Sequence, residues 1–126
     1  MPGYTDSRGH ALFTKSADAA AAFNAGMHSF VCWRTDTFAH LDSAVETDPD
    51  FALARLAKGW MLQTARSAAF KPVIDDLLQA SALLIDPADD RARAYFDSLE
   101  AAVNGRGVEA STIMEAMLAR HPTYLL

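Results

Sequence analysis

Cysteine is almost missing from this chain, glycine and proline are sparse, and no long apolar run occurs among its 126 residues. The single cysteine, Cys32, cannot form an intrachain disulfide, and such usage suits a reducing compartment, so the cytoplasm is the expected location. The longest apolar stretches, Ala19 to Phe23 and the acid-interrupted Val73 to Ile85, are too short or too broken to span a bilayer. The first residues also lack the basic start and apolar centre of a secretory signal, so no membrane partner is expected. Basic residues are outnumbered, with 11 Lys and Arg against 16 Asp and Glu, and they are scattered singly. A net charge of −5 with no basic patch argues against nucleic acid as a partner.

What is present points to one ordered domain. Hydrophobic residues make up 51% of the chain and charged residues 21%, and a chain of this length buries enough surface to fold without disulfides or metals. Alanine is roughly one residue in five, far above ordinary usage, and it is the strongest intrinsic helix former. Alternation of apolar and polar residues does not recur, so no β-sheet is expected and the fold class is all-α. Residues 1–15 carry no period and read as an irregular arm over the first helices.

Six helical stripes follow. Phe23, Met27, Phe30 and Val31 mark the first, ending near Trp33, and Phe38, Leu41, Ala44 and Val45 the second, capped by Thr35 or Asp36 and stopped at Asp48-Pro49. Asp50 is placed to accept the free amides of a third, on which Leu53, Leu56, Ala57, Trp60 and Met61 share a face. Pro72 opens a fourth, whose stripe runs from Val73 to Ile85 before Asp86-Pro87. Asp89 or Asp90 opens a fifth with Ala92, Tyr95, Phe96, Leu99 and Val103, closed at Asn104-Gly105. Ala110, Ile113, Met114, Met117 and Leu118 form the sixth, with Arg120 and His121 complementing its C-terminal dipole before Pro122.

The breaks themselves repeat. Pro49, Pro87 and Pro122 stand 38 and 35 residues apart, each after a second helix, which defines hairpins over about 16–49, 50–87 and 88–122 within a repeat domain of 16–126. Small or apolar residues four apart sit in each second helix: Thr37 and Leu41, Ile74 and Leu78, Ala110 and Met114. Gly59 falls where the first helix of a tetratricopeptide unit carries its packing glycine, whereas Arg55 replaces the usual aromatic and the middle unit exceeds the usual length by about four residues. The expected architecture is three antiparallel hairpins in a tetratricopeptide-like right-handed solenoid.

A narrower likeness rests on Ala22-Phe23, Trp33, His40-Leu41-Asp42-Ser43-Ala44, Thr47-Asp48-Pro49-Asp50-Phe51-Ala52-Leu53-Ala54 and Gly59-Trp60, with Asp90-Arg91, Asn104-Gly105 and Leu118-Ala119-Arg120-His121-Pro122-Thr123 following in order. This series resembles the N-terminal part of the tetratricopeptide repeat protein 38 family and its bacterial relatives. The resemblance implies a helical-repeat fold, several hundred residues in a full member, and no established biochemical activity. It also implies that Tyr124-Leu125-Leu126 begins a further helix, so the chain is expected to be a truncated piece or an unusually short member.

Candidate chemistry is thin. His28 and Cys32, four apart, have the spacing of two helical metal ligands, with His40 as a third, but zinc needs a fourth ligand and oriented supporting groups. The simpler expectation is Cys32 as a small buried packing residue and His28 on a polar edge with Asn24, hence no metal and no cofactor. Asp75-Asp76 and Asp89-Asp90 read as helix-start acids, Gly105-Arg106-Gly107 as a turn without the strand of a phosphate loop, and Ser43 and Ser111 lack a His and Asp constellation. No catalytic residue is named, and the chain is expected not to be an enzyme.

In stacked hairpins the first helices line the concave surface, so the third helix supplies the candidate partner-binding set of Trp60, Gln63, Thr64 and Arg66, with Trp60 weighted toward packing. The expected function is a noncatalytic module for protein contact or self-association, forming a homodimer through terminal helices that lack a polar cap. The alternative is an enzyme or small-ligand domain with a pocket between hairpins.

Overall fold

The computed structural model describes residues 4–6, 10–32, 36–64 and 68–120. Six helices occupy these residues: α1 (Ala17–Val31), α2 (Thr37–Thr47), α3 (Ala52–Thr64), α4 (Lys71–Ser81), α5 (Asp90–Val103) and α6 (Gly107–Arg120). Local chemistry sets many of their ends. The Ser16 hydroxyl accepts from Ala19 N–H at 3.1 Å to start α1, and the Asp89 carboxylate accepts from Ala92 N–H at 3.0 Å to start α5. Gly105, at φ +81°, makes the left-handed turn into α6.

Two junctions differ from expectation. Between α2 and α3 the bonded carboxylate is that of Asp48 rather than Asp50: Asp48 Oδ1 accepts from Asp50 N–H at 3.2 Å, and Oδ2 accepts from the Thr14 hydroxyl and from Lys15 N–H. Arg55, in place of an aromatic, ties α3 to this turn by donating twice to the Pro49 carbonyl, at 3.2 and 3.0 Å. The stripe read as continuous to Ile85 is broken, because α4 ends at Ser81. The Ser81 carbonyl accepts from Leu84 N–H at 2.9 Å, and this tight turn leaves Leu83 96% exposed while Ile85 returns to the core.

The helices pair in sequence order as α1 with α2, α3 with α4 and α5 with α6, and α3 also packs against α2 and α5. Leu41, Leu53, Leu56, Tyr95, Leu99 and Met117 are buried in one continuous core, with the Phe23 and Phe51 rings 5.4 Å apart between α1 and the start of α3. Thr37, Leu41, Ile74, Leu78 and Ala110 are buried and Met114 is half-buried against the core, whereas Phe38, Val73 and Leu118 of the expected stripes are exposed.

The N-terminal segment is more ordered than an irregular arm. Strands β1 (Tyr4–Thr5) and β2 (Ala11–Leu12) pair antiparallel, Tyr4 opposite Leu12, which is the one strand pairing among the described residues. Asn24 on α1 donates to the Thr5 carbonyl at 3.3 Å. The strap also reaches α5, where Arg91 Nη1 meets Asp6 Oδ2 at 2.8 Å with the two side chains 5% and 11% exposed. No helix among the described residues is long and apolar enough to cross a membrane.

Removing one partner of a buried ion pair strands the other in low dielectric, so Asp6→Ala is expected to lower the unfolding free energy in urea by about 3 kcal/mol. Asp89 gives a pH signature. Burial lifts its carboxyl to about 6, and the nearby Asp86 and Asp90 add to this, against the weaker pull of the Ala92 bond and Arg91. The folded state therefore holds the proton more tightly than the unfolded chain, and the stability this gives is present below about pH 4 and lost as pH rises through 6. Asp89→Asn keeps an acceptor for Ala92 and removes the ionisation. Its Tm is expected to exceed that of the unchanged protein at pH 8, with the advantage fading toward pH 4.

Candidate functional site

Gly59, midway along α3, faces Leu99 of α5 with no room for a side chain between them. A Cβ built there would lie 2.7 Å from Leu99 Cδ2 and 3.8 Å from Leu77 Cδ1, so any side chain would collide with a fully buried leucine. The absence of a side chain lets the two helices close up. One residue on, Trp60 Nε1 donates to the Tyr95 carbonyl of α5 at 3.2 Å, which pins the indole across the seam. Helices α3 and α5 run in the same sense, so their last residues, Gln63 and Thr64 on one and Ala102 and Val103 on the other, arrive together at one open groove.

That groove has a volume of about 720 Å³. Trp60 lines it beside these helix ends, α6 forms the facing wall with Ala110, Ser111 and Met114, and Ala68, Lys71, Gly105 and Gly107 complete the rim. Open space lies beside the two glycines of the rim: a Cβ at Gly105 or Gly107 would meet nothing within 4 Å. The Thr64 hydroxyl is committed to the Met61 carbonyl at 2.6 Å. Gln63 and Ser111 have no hydrogen-bond partner among the described residues, so their side chains are available to a ligand. Lys71 is the one charged side chain among the described lining residues, and its ammonium meets Asp75 at 2.8 Å in an exposed pair.

Three of the four residues singled out in the sequence, Trp60, Gln63 and Thr64, are brought together here, and Arg66 lies outside the described residues. The α6 wall and Lys71 were missed because the concave-surface argument considers first helices only. The available signal was Gly105-Arg106-Gly107, two residues without side chains at the head of a helix.

The histidine and cysteine candidates lie elsewhere. Cys32 is exposed, which corrects the expectation of a buried packing residue. It follows the last turn of α1, where its N–H caps His28 O and its side chain has left the apolar face of Phe23 and Met27. Its Sγ lies 3.7 Å from Nε2 of the exposed His28, while His40 Nε2 meets Asp36 Oδ2 at 3.1 Å on α2. No three metal-ligating side chains gather among the described residues. Of the acidic pairs, Asp75 meets Lys71, Asp89 caps α5, and Asp90 meets Arg120 at 3.3 Å. A second hollow of about 170 Å³ is bordered by Thr14, Lys15, Asp48, Asp50 and Asp86. Asp48 is already engaged there by Thr14 and Lys15.

Gly59→Ala is expected to destabilise the fold by about 1–3 kcal/mol through overpacking against Leu99. In a Leu99→Val background, where the colliding atom has been withdrawn, the same substitution is expected to cost less, as a double-mutant cycle in urea would measure. Comparison of the chain with protein-family models, curated proteins and solved structures returns no match.

Proposed function

We propose that this chain is a noncatalytic helical-repeat module whose groove between the second and third hairpins binds a segment of a partner protein. The observation that carries this reading is the groove itself: packed helices hold it open, it has apolar walls, and Gln63 and Ser111 present unengaged hydrogen-bonding groups to it. A tetratricopeptide-like right-handed solenoid is part of the proposal. It is supported by three sequential hairpins, by Gly59 at the seam of two first helices running the same way, and by the resemblance to the tetratricopeptide repeat protein 38 family. The cytoplasm remains the proposed location. The rival reading, an enzyme or small-ligand pocket built on His28, Cys32 or His40, draws less support because none of them lines the groove and no described acid does.

Selection from a displayed library of random dodecapeptides tests the reading. Enriched peptides are expected to bind with a Kd below about 100 μM and to weaken at least about tenfold on Ser111→Phe, which fills the groove. Absence of enrichment, or binding indifferent to that substitution, would overturn it.

Self-association is a second reading, favoured by Val108 at 84% and Leu118 at 37% exposure on α6. Light scattering at high micromolar concentration is then expected to give twice the chain mass, reduced to a monomer by Val108→Glu with Leu118→Glu. A monomer before substitution excludes the homodimer.

A further inference from the structure

We infer that the segment received by the groove carries an apolar side chain next to a carboxylate. This rests on the groove being a partner-binding surface, and it follows from what each wall leaves unsatisfied. The Trp60 indole has spent its only donor on the Tyr95 carbonyl, so what it offers a ligand is carbon surface. Met114, half-buried on the facing wall, offers a polarisable thioether and no donor. Between them a ligand side chain gains only if it is apolar.

The polar groups select differently. Gln63 can donate and accept, and Ser111 can do the same, which matches the paired N–H and C=O of a peptide backbone and specifies no side chain. Among the described residues, charge selection falls to Lys71. The neighbouring Arg106 is committed to Glu100 at 2.8 Å and Glu109 at 2.6 Å, and the described lining holds no acid. Lys71 already touches Asp75, but that pair is half exposed, 50% and 46%, and neighbours four apart on a helix surface in water hold each other weakly. A carboxylate delivered into the groove by a docked chain, partly shielded from water, competes with Asp75 for the same ammonium.

The probes are three pools of acetylated, amidated hexapeptides. All have a central mixed Leu, Phe or Met position and differ only in whether the next residue is Glu, Gln or Lys. Titrated by fluorescence polarisation at low salt, the Glu pool is expected to bind about fivefold more tightly than the Lys pool, and the difference is expected to fade at high salt. Lys71→Glu should reverse the order. That change sets two acids four apart, a small cost on an exposed surface, which the favourable placement of an acid in the first turn of α4 offsets. Asp75→Asn, which removes the competing carboxylate, should tighten the Glu pool further. If all pools bind equally and all are lost on Ser111→Phe, the acidic preference is wrong while the groove stands as a peptide site. If no pool binds, the groove reading and this inference fall together.

Discussion

Among the described glycines, the least room for a side chain is at Gly59, where α3 meets α5. Gly59 costs its helix roughly 1 kcal/mol relative to alanine, and what it permits is contact between α3 and α5 at Leu99. Helix α3 is also the one that packs against α2 on one side and α4 on the other, so the seam at Gly59 is where the third hairpin is hung on the first two. The Trp60 indole, the shared arrival of the helix ends and the mouth of the groove all follow from how near those helices lie.

A second set of ties runs across the hairpins. In an ideal stacked-repeat array each unit touches only its neighbours, and stability is a sum of local terms. Here the strap before α1 carries Asp6 to Arg91, 85 residues away on the third hairpin, and Thr14 to Asp48 at the turn into the second. Leu12 is fully buried between these polar anchors. The strap ties the first and third hairpins to each other directly, so cooperative unfolding of the described chain, instead of fraying repeat by repeat, is the expected consequence.

Helices were legible in the sequence because alanine, periodic apolar residues and Asp-Pro breaks all act locally. The failures are equally physical. Leu84 and Ile85 satisfy a helical period on paper, but a turn closed on the Ser81 carbonyl also brings Ile85 against the core. The strap could not be foreseen because a two-residue ladder and one ion pair spanning 85 positions leave no periodic trace. In the groove, Trp60, Gln63 and Thr64 could be anticipated since one helix carries all three. Ser111, Met114 and Lys71 join them only through tertiary packing, which spacing along one helix does not encode.

The resulting picture is an all-helical module whose proposed recognition surface follows from one tight seam, with the indole of Trp60 fixed at its edge. Hydrogen exchange of the Trp60 indole proton, followed by NMR, reports on that seam directly. The account predicts slow exchange in the unchanged protein, because the proton is held by the Tyr95 carbonyl, and exchange near the solvent-exposed rate when Gly59→Val forces α5 away. Rapid exchange in the unchanged protein, or protection that survives Gly59→Val, would contradict it.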